Sequence, residues 1–129
     1  MKLRSLPLFL LLEAVATIVW WAMLAVVPSS RHWFFPQGWP MLAIYSCLVS
    51  DCLLMVVAGI VGAVGMRGRA SWAAVVLWLH FGGVVYGTIM AVCAWLLTGQ
   101  AVLGALLMLA DFAVLCVLMA LYFRRERTR

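Results

Sequence analysis

Four long apolar segments restrict the fold of this chain more than any other feature. They cover residues 6–27, 41–65, 73–97 and 101–123. Each is long enough for an α-helix to cross a hydrocarbon core of about 30 Å. None shows the apolar–polar alternation of a membrane β-strand, and a helix satisfies its own backbone hydrogen bonds in lipid. The sequence therefore predicts an all-α integral membrane protein, in which residues 1–129 form a single four-helix transmembrane bundle.

The first segment resembles a signal peptide only at its start, where Lys2 and Arg4 precede an apolar run. The run contains Glu13 and continues through "WWAMLAVVPSS" without a clear small-x-small cleavage site. We therefore expect it to be retained as the first membrane helix. A hydrophobic content of 68%, well above the roughly half found in soluble domains, fits this interpretation.

The basic residues are placed asymmetrically, which gives a meaning to the net charge of +5. With four helices, only Arg31 lies on one side of the membrane, and the other side holds Lys2, Arg4, Arg67, Arg69, Arg124, Arg125, Arg127 and Arg129. Positive charge accumulates on the cytoplasmic side, so both termini are predicted to be cytoplasmic and the basic tail to bind lipid headgroups. The composition is typical of a bacterium, so we expect a multi-pass protein of the inner (plasma) membrane. This pattern does not call for a nucleic-acid partner.

Each predicted helix carries one ionisable residue near its middle: Glu13, Asp51, His80 and Asp111. A charge at the centre of a membrane helix costs about 2.5–3.5 kcal/mol on insertion scales. Three acids face only one possible cation, so we expect at least one acid to be neutral near pH 7. The four groups lie at similar depth, and we expect them to converge in one apolar pocket as the catalytic residues, with Asp51 and Asp111 as the main acid and base.

Aromatic residues near these positions are predicted to line that pocket as substrate-binding residues: Trp20, Trp21, Tyr45, Trp78, Phe81 and Tyr86. The loop "PSSRHWFFPQGWP" between the first two helices is rich in aromatic residues, which suit the headgroup level or a lid over an entrance. Gly83 and Gly87 form a GxxxG step, a motif through which membrane helices pack or dimerise. A homodimer through this step is therefore possible on the sequence.

Several chemistries lack the residues they need. The two-histidine or Glu-x-x-His spacing of metal sites in helix bundles is missing, so no metal site and no cofactor are predicted. The four cysteines contain no CxxC pair and lie inside the helices, where they act as small apolar residues. No phosphate-binding loop or activated nucleophile can be recognised.

Acid-initiated chemistry on a molecule dissolved in the bilayer fits the residues better. A neutral carboxyl group can protonate an epoxide or alkene, and aromatic faces can stabilise the resulting carbocation. Single acids lie within the apolar helices, in "LLEAVAT", "LVSDCLL" and "MLADFAV". In this feature the chain resembles the small bacterial membrane-integral terpene cyclases. It also resembles the sterol-isomerase-like four-helix domain. The resemblance implies an enzyme that cyclises or isomerises a lipophilic isoprenoid.

Two alternatives remain open on the sequence. The chain also resembles the small multidrug resistance transporters, which have four short helices and a glutamate in the first helix. That resemblance implies proton exchange at Glu13, although such transporters do not need Asp51, His80 or Asp111. The other alternative is a non-enzymatic membrane subunit or scaffold, in which the acids pair with a cation of a partner protein.

Overall fold

The computed structural model describes residues 5–126, and all regular structure within them is helical. In chain order the elements are α1 (Ser5–Val26), a 3-10 helix (Pro28–Trp33), α2 (Met41–Asp51), a π-helical segment (Cys52–Val57), α3 (Ala58–Arg67), α4 (Ala73–Thr98) and α5 (Val102–Glu126). The spans Ser5–Val26, Met41–Arg67, Ala73–Thr98 and Val102–Arg125 are long and apolar enough to cross a membrane. The prediction of an all-helical chain with four helices long and apolar enough to span a membrane is confirmed. Lys2, Arg4, Arg127 and Arg129 lie outside the described residues.

The second span is continuous but contains a wider turn. Its middle is the π-helical segment Cys52–Val57, where the Ala58 backbone N–H donates to the Leu53 carbonyl, five residues earlier. An α-helix would make this bond to the residue four positions earlier. A π turn changes which carbonyl oxygens are available for other bonds, and such turns are frequent at functional sites.

Close helix packing depends on glycines at the contacts of α4. A methyl group added at Gly83 would lie 2.6 Å from Leu54 Cβ, so α4 and the π-helical segment approach too closely for any larger residue. Gly87 faces the Met108 side chain of α5. The GxxxG step thus packs α4 against two other helices of the same chain. The buried core around it includes Leu10, Leu77 and Leu115.

Three contacts hold the loop between α1 and α2 against the helices and the turn before α5. The Arg31 side chain donates from Nε to the Leu24 carbonyl at 3.1 Å, and the Gln37 backbone N–H donates to Oε1 of Gln100 at 2.7 Å. The Phe34 backbone lies against Gly104 of α5, where an added methyl group would be 3.2 Å away. The loop therefore forms a fixed cap over one end of the bundle.

Candidate functional site

A buried ion pair or shared-proton pair joins α1 to α4. Oε2 of Glu13 lies 2.9 Å from Nε2 of His80. The exposed fraction is 7% for Glu13 and 0% for His80. Burying either group alone would be strongly unfavourable, so the pair explains how the two spans tolerate them.

The second span fixes the hydrogen on the other ring nitrogen of His80. Nδ1 lies 2.8 Å from the Leu54 carbonyl oxygen in the π-helical segment. A carbonyl oxygen only accepts, so Nδ1 carries a hydrogen and donates it. Nε2 then faces Glu13 either as a donor from imidazolium or as an acceptor from a protonated carboxyl group. In both arrangements one proton lies between Glu13 and His80, and the pair has no net charge.

Asp111 of α5 adds a second acid to the pair. It lies within hydrogen-bonding reach of the Glu13 side chain and close enough to His80 to interact with its charge. Oε1 of Glu13 and Oδ2 of Asp111 are both buried and accept no hydrogen bond from a described residue. Two neighbouring carboxyl groups cannot both be ionised at low cost, and a proton between them satisfies both.

We call Glu13, His80 and Asp111 the acid–histidine cluster. The cluster connects all four spans through its side-chain contacts and through the Leu54 carbonyl. With an imidazolium, one carboxylate and one protonated carboxyl group, the cluster is neutral. Neutrality suits a position in lipid, where a net charge costs several kcal/mol. The cluster is thus a proton-holding site, and Asp111 is its most exposed member.

Asp51 lies apart from the acid–histidine cluster. Its Oδ2 accepts a hydrogen bond of 3.0 Å from Nε1 of Trp21 in α1. Trp21 is eight residues beyond Glu13, about 12 Å along the helix axis. The structure therefore divides the four predicted residues into a group of three and a separate Trp21–Asp51 pair, nearer the 28–40 loop.

Two of the predicted substrate-binding aromatic residues, Trp78 and Phe81, form a row with Phe112 and Phe123 along α4 and α5. The Phe81 ring is 5.9 Å from the ring of Phe112, the residue after Asp111, and 5.6 Å from the ring of Trp78. Trp78 in turn stacks on Phe123 at 5.7 Å. Phe81 and Phe112 are partly buried, whereas Trp78 is 54% exposed.

The other predicted aromatic residues are divided between the outside of the bundle and its capped end. Tyr45 and Tyr86, like Trp78, are more than half exposed, so these three face outward rather than line an interior. Trp20 and Trp21 join a loop-end aromatic cluster, which consists of Trp20, Trp21, Phe34, Phe35 and Trp39. Within it, Nε1 of Trp20 is buried and donates to no described residue.

Sequence reasoning missed the residues that position His80. The Leu54 carbonyl acts through the backbone, so its side chain carries no signal. Gly59 lies under the imidazole, with an added methyl group 3.5 Å from Nδ1, and Gly83 allows α4 to reach Leu54. The shared face of His80 and Gly83 on a helix was the one available sign.

Within residues 5–126, no group of three or more His, Cys, Asp or Glu side chains is arranged to hold a metal ion. All four cysteines are free. No protein-family model matches the chain, and no curated protein or solved structure shows significant similarity to it. The site is therefore interpreted from its geometry.

Proposed function

We propose that this chain is a membrane-embedded acid–base enzyme that cyclises or isomerises a lipophilic, isoprenoid-like substrate, as a terpene cyclase does. One observation carries the proposal: the buried Glu13–His80 pair leads to Asp111, an acid that is partly exposed midway along a membrane span. Protein surface at that depth meets lipid. A substrate dissolved in the bilayer therefore reaches a proton donor by moving sideways.

The reaction begins with proton transfer from the Asp111 carboxyl group to an epoxide oxygen or an alkene carbon. When the new O–H bond forms, an epoxide C–O bond breaks, and when a new C–H bond forms, the π electrons of the alkene are used for it. Either step leaves a carbocation on the substrate, which the π electrons of a neighbouring double bond attack to close a ring. The anion that remains on Asp111 is repelled by the neighbouring Glu13 carboxylate, which favours giving the proton away, and the His80 imidazolium offsets part of that repulsion. A base then removes a proton next to the last cation and a new double bond forms, so the product is an isomer of the substrate.

The contacting rings of Phe81 and Phe112, which directly follow His80 and Asp111 in the sequence, suit a cationic intermediate. The faces of Phe81 and Phe112 can stabilise positive charge, and their apolar surroundings keep away water that would capture it. Asp51, held by Trp21, is the other carboxyl group in this scheme and our candidate for the terminal base. Its distance from the acid–histidine cluster suits a long substrate whose first and last proton transfers occur at different carbons.

The test is turnover of polyprenyl epoxides and polyprenyl alkenes by the purified protein in lipid nanodiscs, with products identified as isomers of equal mass. Asp111→Asn should lower the rate by about 10²–10⁴-fold, because it removes the general acid. Asp51→Asn should still consume substrate but change the product mixture. His80→Gln should lower the rate, while the matched change His32→Gln, in the exposed loop, should not. Full wild-type turnover in a folded Asp111→Asn protein would refute the mechanism.

Proton-coupled export is the second candidate, because the Glu13–His80 contact holds a proton inside the membrane. Glu13 is engaged by His80 and Asp111, which leaves it less free for a ligand than the single glutamate of a multidrug transporter. Dye efflux from proteoliposomes that follows a pH gradient and is lost in Glu13→Gln, together with no turnover of any polyprenyl probe, would favour the transporter. A stable protein partner and a response in neither assay would favour a scaffold.

The cellular setting is part of the same proposal. We place the protein in a bacterial inner membrane with both termini in the cytoplasm, on the evidence of Arg67, Arg69, Arg124 and Arg125 on the side opposite Arg31. Reporter fusions test this directly. A cytoplasmic reporter at the C-terminus should be active and a periplasmic reporter inactive, and the reverse result would invert the orientation.

A further inference from the structure

The indole N–H of Trp20 is a buried hydrogen-bond donor that is unpaired within residues 5–126. Its Nε1 has no acceptor among the described residues, although its neighbour Trp21 donates to Asp51. The rings around Trp20 are apolar: Phe34 packs against it edge-on at 5.4 Å and Phe35 lies parallel at 6.2 Å. A buried donor that stays unpaired is costly, so such a group normally has a partner in the working state of the protein.

Trp20 and Glu13 lie on the same face of α1. They are seven residues apart, which is two helical turns and about 10 Å along the axis. Thr17, between them on that face, is also buried. The unused indole donor is therefore aligned with the acid–histidine cluster along the inner face of the first helix.

The residues of α5 that face Trp20 and Glu13 are spaced in the same way along their helix. Gly104, which contacts the Phe34 backbone, lies seven residues before Asp111 and on the same face of α5. Phe34 also contacts Trp20, so Trp20, Phe34 and Gly104 lie together at one end of the seam between α1 and α5, and Glu13 and Asp111 lie together at the other end. Counting along either helix gives about 10 Å between the two ends.

We propose that Trp20 Nε1 is the donor of a second subsite, which binds a hydrogen-bond acceptor at one end of the lipophilic substrate. The inference rests on the proposed function and narrows its substrate class. The substrate carries a carbonyl, ether or hydroxyl oxygen about 10 Å from the double bond or epoxide that Asp111 protonates. A pure hydrocarbon lacks this contact, and its position in the seam is not fixed.

Binding to the full-length protein in nanodiscs tests the subsite. The probes are a linear polyprenyl methyl ketone and the polyprenyl hydrocarbon of the same length. Wild type should bind the ketone more tightly, and Trp20→Phe should weaken ketone binding by about 3- to 10-fold while leaving hydrocarbon binding unchanged. The same substitution at Trp95, in α4, is the control and should change neither affinity. Equal loss for both probes in Trp20→Phe would show that the indole only packs.

A spectroscopic measurement keeps the test decisive if Trp20→Phe folds poorly. In wild type labelled with ¹⁵N-tryptophan, the Trp20 indole N–H resonance should shift when the ketone is added and not when the hydrocarbon is added. A shift with neither probe, as for an indole that already binds a resident water, would overturn the subsite. If the protein turns over polyprenyl substrates but does not prefer the ketone, only the subsite proposal is refuted. If it prefers the ketone but shows no turnover, the proposed enzymatic function is refuted and the subsite stands.

Discussion

Replacing Gly83 by alanine tests the contact that positions His80. Gly83 lies three residues after His80 and on the same side of α4, against Leu54 of the π-helical segment. The added methyl carbon would lie 2.6 Å from Leu54 Cβ, about 0.8 Å short of the 3.4 Å at which ordinary van der Waals contact begins. Because Leu54 Cβ is attached directly to the backbone, no side-chain rotation relieves the overlap. The two helices must separate.

The same separation weakens the hydrogen bond from His80. Adding about 0.8 Å to the 2.8 Å between Nδ1 and the Leu54 oxygen gives about 3.6 Å, outside the range of an N–H···O bond. Overpacking of this kind costs about 1–3 kcal/mol of the free energy of unfolding. The weakened bond adds about 1 kcal/mol. These two costs sum to about 2–4 kcal/mol, and the better helix propensity of alanine offsets about 0.5–1 kcal/mol of them, so we expect Gly83→Ala to lose about 1–3.5 kcal/mol in total. The rate of any proton transfer through His80 should fall with it.

The neighbouring residue provides a matched control. Gly82 is exposed, and a methyl group added there meets nothing within 4 Å. Gly82→Ala should stabilise the helix by about 0.5–1 kcal/mol, because alanine is the better helix former. Both free energies of unfolding can be measured by denaturant titration in one mixed-micelle system. If the two variants have equal stability, α4 and the second span are not in the close contact described above, and the role given to Gly83 is wrong.

Two further outcomes follow from the polar pairs. Glu13→Leu alone should lower the free energy of unfolding by about 3–5 kcal/mol, because it leaves His80 unpaired in a buried site. In a double-mutant cycle, the variant Glu13→Leu/His80→Leu should lose clearly less than the sum of the two single variants. Additive losses would mean that the pair does not interact. Trp21→Phe should destabilise the protein by about 1–3 kcal/mol because Asp51 loses its donor, whereas Asp51→Asn keeps an acceptor for Trp21 and should cost less, which the same unfolding titration would detect.

The positions of the spans could be predicted from the sequence because lipid imposes a length and a composition on each of them. The predicted ends at 65 and 123 fall before the observed ends at Arg67 and Glu126, a difference of the size usual for helix boundaries. Glu13, His80 and Asp111 could be singled out for a similar reason, since an ionisable residue stands out in an apolar span.

The facing of the helices could not be predicted in the same way. A membrane helix is apolar on its lipid face and its packed face alike, so hydrophobic periodicity does not show which side is buried. For this reason Tyr45, Trp78 and Tyr86 were expected to line the pocket but face outward. The same uncertainty hid the pairing of Asp51 with Trp21, which depends on the rotation of two helices about their axes. Leu54, in the π turn, packs against Gly83 of another helix, a contact that the local sequence does not reveal.

The contact between Glu13 and His80 also has a consequence for biogenesis. The two residues are 67 positions apart, so the first helix leaves the ribosome with an acidic group whose partner has not been synthesised. At about 5–20 residues per second, His80 follows about 3–13 s later. During that interval, the release of α1 alone into lipid is unfavourable, because the Glu13 charge has no partner. Until the third span arrives, either the insertion machinery retains α1 or Glu13 takes up a proton, which removes the charge. The cluster is completed only when the fourth span brings Asp111.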